Sequence, residues 1–202
     1  MGYKWDVFLS YPHASPSGEW VHETFFPLFS FYLRNALNRP ATSIFIDREG
    51  IDPGDSWPYT LQLALAYSRC LVAIWLPDYF HSTWCTRELM VMLYREKQLG
   101  YRTRMNSKGL VLPVKVFDGD HFPRFAQRIE HFNCTRFFKV GKGFKNSELY
   151  LDFQDELASW TYKVAEAIKI VPEWKSEWLN DSDHHDLFPE EPTDGFELPL
   201  LS

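Results

Sequence analysis

The chain has 202 residues, 45% hydrophobic and 17% aromatic, which suffices for one sizeable core plus an appendage and is too apolar for a disordered chain. Its net charge of −6 is placed unevenly: residues 172–202 carry nine acids and a single base, Lys175, leaving 20 bases against 18 acids over residues 1–171. A near-neutral body without a basic stripe lacks the footprint of a nucleic-acid binder, and no apolar run nears the roughly 20 residues of a membrane span.

The start Met1-Gly-Tyr-Lys passes directly into a strand pattern without a charged segment leading an apolar one, so a cytoplasmic location is expected. Asp6 stands where a myristoylation signal at Gly2 requires Ser or Thr. The three cysteines, Cys70, Cys85 and Cys134, have no paired metal-type spacing and fit free thiols in a reducing compartment, with neither a disulfide framework nor a metal site.

Trp5-Asp-Val-Phe-Leu-Ser-Tyr11 is a short apolar run ending in small polar residues, the form of a central parallel strand whose C-terminal end opens on a cleft. Apolar residues at Trp20, Val21, Phe25, Leu28, Phe29, Tyr32, Leu33 and Leu37 predict a helix over 19–37, bent or delayed by Pro27 and ended before Pro40. Ser43-Ile-Phe-Ile-Asp47 predicts a second strand, followed by a loop over 48–55 that holds two glycines and a proline. Ser56 can cap a second helix, whose buried stripe is Trp57, Leu61, Ala64, Leu65 and Ser68. Cys70-Leu-Val-Ala-Ile-Trp-Leu76 is apolar throughout, as in a strand covered on both faces.

A helix to about Leu99 follows the 77–83 connection. Gly109–Val116 predicts a strand in which Pro113 marks an edge position or bulge. A short helix is predicted around Phe125–Ile129, a last strand near Cys134–Val140, and an amphipathic helix over Tyr150–Ile170 with Leu151, Phe153, Leu157, Trp160, Val164, Ala167 and Ile168 toward the core. The domains are then 1–171 and an acidic tail, 172–202. Alternating strands and helices imply an α/β fold, an open doubly wound parallel sheet of about five strands with helices on both faces and its cleft at the C-terminal strand ends.

Within that pattern Glu88 is the chemically informative residue, an acid in the apolar helix that begins near Ser82-Thr-Trp-Cys-Thr-Arg-Glu-Leu89. Trp84 and Glu88 are four residues apart and share a helical face, and an indole beside a carboxylate suits a flat cationic ligand. Taken alone, the segment also fits an ordinary first-turn glutamate favoured by the helix dipole, with Ser82 or Thr83 as its cap.

Three segments fall together at the predicted cleft: Ser10-Tyr11, Asp47 with its loop, and the stretch to Glu88. In this order Trp5–Tyr11, Phe45–Trp57 and Ser82–Leu89 resemble the three boxes of a Toll/interleukin-1 receptor (TIR) domain, over about residues 3–170. The resemblance implies the flavodoxin-like TIR fold. It also implies one of two functions, because the family holds both assembly adaptors and enzymes that cleave NAD at the nicotinamide–ribosyl bond.

Glu88 matches the family's catalytic glutamate and Trp84 the tryptophan lining the site in bacterial members, while Ser10, Tyr11, Asp47 and Trp57 fall where nucleotide contacts are expected. On that basis NAD is a substrate and no cofactor is needed. The products are ADP-ribose, a cyclic isomer or a conjugate, made in antiviral defence similar to the TIR component of Thoeris. The implied partners are further TIR domains, reached through loop 48–55, and a separate effector reached by a diffusible nucleotide. The rival readings are a scaffold acting by TIR–TIR assembly and a nucleotide sensor without turnover.

Among the remaining candidates, Cys85 reads as structural, His81 as loop structure, and His184-His185 in the tail as solvated. Trp174, Trp178, Leu187, Phe188, Phe196, Leu198 and Leu200 are too many apolar residues for an inert linker, so some are expected to dock on the body or on a partner.

Overall fold

The computed structural model describes residues 2–14, 16–46 and 59–179. Five parallel strands, β1 (Trp5–Ser10), β2 (Ile44–Ile46), β3 (Ser68–Trp75), β4 (Val111–Lys115) and β5 (Phe132–Asn133), form one sheet in the order β2-β1-β3-β4-β5. This is the flavodoxin-like order, in which the chain reverses direction across the sheet between β1 and β3. β3 is buried at nearly every position, as its unbroken apolar run requires of a strand with helices on both faces. Register is parallel throughout, with Leu9 opposite Ile46 on one side and Val72 on the other.

The helix expected over 19–37 is continuous but not uniform: α1 (Ser17–Trp20), a π-helical turn (Val21–Phe25) and α2 (Phe26–Ala36). Pro27 explains the turn. Proline lacks an N–H and its ring crowds the carbonyl four residues back, and widening the preceding turn, with Phe26 N–H bonded to Val21 O, accommodates both. Trp20, Val21, Phe25, Phe29 and Leu33 are fully buried. Trp20, Phe25 and Phe29 form an aromatic wall with Phe153 and Trp160 of α8 (Glu148–Lys169), the helix that follows the short α6 (Arg124–Gln127) and α7 (Lys142–Lys145).

Four expectations need correction. Cys134–Val140 is not a strand: β5 is only Phe132–Asn133, Cys134 N–H makes the last rung to Lys115 O, and Thr135–Phe137 is a 3-10 turn. The turn sends Phe137 inward, where its carbonyl accepts from Trp20 Nε1, and leaves Arg136 outside against Asp152 and Glu156. Leu151 is 60% exposed, because the core face of α8 runs through Phe153, Leu157, Thr161, Val164 and Ile168. Ser68 is the first residue of β3 and not part of the preceding helix, α3 (Tyr59–Ala66), although its hydroxyl still donates to Ala64 O.

Pro113 lies in β4, which is flanked by β3 and β5 and so is not the sheet's outer strand. The even-numbered positions of β4 turn their backbone groups to β3, as the rungs from Leu71 N to Leu110 O and from Val116 N to Trp75 O show. Pro113 therefore faces the other side, where β5 pairs only with Val114 and Lys115. Its missing N–H falls on a locally open edge.

Beyond α8 the chain returns beneath the N-terminal ends of the strands. Trp174 stacks on Tyr67 at 5.2 Å and its Nε1 donates to Ala66 O. Trp178, only 2% exposed, lies 5.5 Å from Tyr3 and 4.6 Å from the Arg95 guanidinium, and Tyr3 Oη donates to Pro172 O. These two tail residues dock on the body. The other five apolar tail residues, and His184-His185, lie outside the described residues.

Candidate functional site

A pocket of about 150 Å³ opens at the opposite end of the sheet, over the C-terminal end of β1 beside β3, where the strand order reverses. Its described lining comes from residues 8–13 of β1 and the following loop, Leu61 of α3, and Ser82, Trp84, Cys85 and Glu88 of the region that opens α5 (Thr83–Gln98). Crevices at such reversals lie outside the carboxyl ends of the strands, which is where open α/β sheets bind ligands.

The entry into α5 is set locally. β3 ends at Trp75, the short helix α4 (Pro77–His81) starts on Pro77, and Ser82 in extended conformation caps α5 by accepting from Cys85 N–H at 3.3 Å. Glu88 follows on the inner side and is 7% exposed. Ser10, the last residue of β1, donates its hydroxyl to Glu88 Oε2 at 2.5 Å, and Tyr79 Oη of α4 lies 3.0 Å from the same Ser10 oxygen. A carboxylate this deep requires hydrogen-bonding partners, and Ser10 supplies one.

The structure thus brings together four of the six residues singled out as substrate-facing: Ser10, Tyr11, Trp84 and Glu88 all line the pocket. Tyr11 stacks on His13 at 4.8 Å and shares a 2.7 Å hydrogen bond with His22 Nε2, from the π-helical turn. Asp47 and Trp57, with loop 48–55, lie outside the described residues.

Tyr79 and His22 are the site neighbours that sequence reasoning missed. Tyr79 had a signal, a hydroxyl-bearing aromatic in the short connection leading to Glu88. His22 had none, since only the tertiary fold brings that helical turn to Tyr11.

Burial, reinforced by Cys85 and Glu88 nearby, pushes the Tyr79 phenol well above its ordinary value, with the Ser10 hydrogen bond opposing. Burial first and Glu88 second likewise push the Cys85 thiol up, so it carries no thiolate near neutrality and is a poor nucleophile. Among its described lining the pocket offers one carboxylate, Glu88, hydrogen-bonded by Ser10 and beside a partly buried indole. That pair can receive a planar cation, or stabilise positive charge that develops during a reaction.

No curated protein sequence matches this chain. Among solved structures it is similar to the TIR domains of the activated Roq1 resistosome, which directly recognises the pathogen effector XopQ, with 23% identity over 83% of this chain and 85% of that one, at a TM-score of 0.41. It is also similar to the TIR domain of the Toll-related receptor TRR-2 from Hydra magnipapillata, with 18% identity over 76% of this chain and 98% of that one, at a TM-score of 0.43. The family model for the TIR domain matches residues 7–145, more than half of the chain. With the five-stranded parallel sheet of flavodoxin-like order and the three sequence boxes in place, the chain belongs to the TIR domain family.

Proposed function

We propose that this TIR domain is an enzyme that cleaves NAD at the nicotinamide–ribosyl bond, with Glu88 as the catalytic residue. The observation that carries the reading is the Glu88 carboxylate, 7% exposed, lining a pocket together with Trp84 and fixed by Ser10.

The chemistry suits a single carboxylate. As the C1′–N bond breaks, its electron pair leaves with the pyridinium ring, which becomes neutral nicotinamide, so no general acid is needed. Positive charge moves to the ribosyl carbon in an oxocarbenium-like transition state, as in glycoside hydrolysis. A preorganised carboxylate in a pocket shielded from water stabilises that charge far better than solvent does. Trp84 supplies a flat face for a planar ring. Water, a hydroxyl of the same nucleotide or another small nucleophile then bonds to C1′ and gives up its proton, yielding ADP-ribose, a cyclic isomer or a conjugate.

In this reading the protein serves antiviral immune signalling of the bacterial, Thoeris-like kind. It self-associates through TIR surfaces that include loop 48–55, and its nucleotide product acts on a separate effector in the cytoplasm. Concentrated protein with a crowding agent and NAD should release nicotinamide, and Glu88→Ala should lower the rate by at least about 100-fold, the scale of removing one preorganised electrostatic contact. Absence of turnover, together with NAD-independent binding to another TIR domain, would favour the scaffold.

A further inference from the structure

We infer that Tyr79 is a positioning residue for Glu88: it donates its hydroxyl proton to Ser10 and so commits the single Ser10 proton to the Glu88 carboxylate. The inference rests on the proposed catalytic role of Glu88 and adds the device that holds it.

The direction of each bond follows from the inventory of donors. A carboxylate only accepts, so the 2.5 Å contact between Ser10 Oγ and Glu88 Oε2 uses the one proton that serine has. The 3.0 Å contact between Ser10 Oγ and Tyr79 Oη then needs its proton from tyrosine. Were Ser10 to rotate and donate to Tyr79 instead, Glu88 would lose this donor at 7% exposure. By filling a Ser10 lone pair, Tyr79 disfavours that rotation.

Tyr79 is built to stay in place. It is fully buried, its ring meets Phe80 edge-on at 5.4 Å, and its backbone N–H is bonded to Leu76 O. Burial pushes the phenol up, so it keeps its proton across neutral and mildly alkaline pH. Ser10, Cys85 and Glu88 line the pocket whereas Tyr79 does not, so its influence on a bound substrate passes through Ser10. Three separate elements, β1, α4 and α5, meet in this chain of hydroxyls.

The test is a double-mutant cycle on Ser10→Ala and Tyr79→Phe, read in kcat and KM for nicotinamide release, with thermal melting as a check on folding. Hydrogen bonds to charged groups are strong, so Ser10→Ala should lower kcat by about 10- to 100-fold. Tyr79→Phe keeps the ring and should lower kcat by a few-fold with KM unchanged, and the double variant should be no worse than Ser10→Ala because Tyr79 acts only through Ser10. Ser10→Thr, which retains the hydroxyl, should recover most of the rate. Multiplied losses in the double variant, or a Tyr79→Phe effect on KM alone, overturn the inference.

A second readout needs no turnover. The proton NMR spectrum of the wild type should show a slowly exchanging downfield hydroxyl resonance that vanishes in Ser10→Ala and moves in Tyr79→Phe. A resonance unchanged in Tyr79→Phe overturns the inference. Wild-type protein that releases no nicotinamide but shows the expected resonances overturns the NAD reading and leaves the hydroxyl chain intact.

Discussion

Replacing Trp178 with alanine should destabilise the domain by about 2–4 kcal/mol, although this residue lies outside the segment matched by the family model. The indole is 2% exposed, and burying a tryptophan removes about 200 Å² from water, so the transfer contribution alone has an upper bound of about 5 kcal/mol. Its stacking on the Arg95 guanidinium adds about 1 kcal/mol. Two effects pull the net loss below the sum. The 3-10 turn at Ser176–Leu179 is a single four-residue turn that can relax without leaving a rigid cavity, and water then reaches Arg95, which already donates to Ser68 O and Leu65 O.

For a domain of this size a 3 kcal/mol loss lowers the melting temperature by about 6–12 °C, which circular dichroism resolves easily. Tyr162→Ala, at a position 63% exposed on α8, is the matched control and should cost under about 1 kcal/mol. Ending the chain at Val171 removes both docked tryptophans and should cost at least as much as Trp178→Ala. A shift below about 2 °C for Trp178→Ala, or a truncated protein as stable as the full chain, would refute the claim that this segment is an integral part of the fold.

Other outcomes follow from single contacts. Gly109→Ala should cost about 1–3 kcal/mol in chemical denaturation, because an added Cβ would sit 2.6 Å from Glu96 Oε1 and disturb a buried carboxylate that accepts from Arg102 and from the Leu110 and Val111 N–H groups. The native protein should leave all three thiols unmodified by a thiol-specific chromogenic reagent at pH 8 and release three only on unfolding, since Cys70, Cys85 and Cys134 are buried and burial pushes each thiol up. Rapid labelling of one thiol in the folded state would show that its site opens. Trp84→Ala should raise KM for NAD by about tenfold while melting within about 3 °C of wild type, because the partly buried indole lines the pocket; an unchanged KM would remove Trp84 from substrate binding.

The order of strands and helices was legible because burial leaves a periodic trace. The unbroken apolar run at Cys70–Leu76 has the form of a strand covered on both sides, and the four-residue spacing of Trp84 and Glu88 places both on one face of α5 and, in the fold, in one pocket. Glu88 stood out only when its segment was set beside the two earlier boxes, because by itself that segment also fits a first-turn glutamate. Local pattern failed where a partner far along the chain decides the conformation. Phe132–Val140 alternates poorly because Phe137 is drawn in against Trp20 and Phe153, and Arg136 is held out by acids of α8. Leu151 follows helical spacing yet faces water, since the direction from which α2 packs on α8 fixes which stripe is buried.

The family and the parallel architecture were therefore legible in residue types at short spacing, and so was Glu88 as the candidate carboxylate. What surrounds that carboxylate follows from contacts between distant parts of the chain. Ser10 and Tyr79 are 78 and 9 residues from Glu88, and a hydrogen bond depends on distances of a few tenths of an ångström that no spacing rule encodes. The same holds at the other end of the sheet, where Trp178 reaches Arg95 across 83 residues because the fold, not the local chain, brings them face to face.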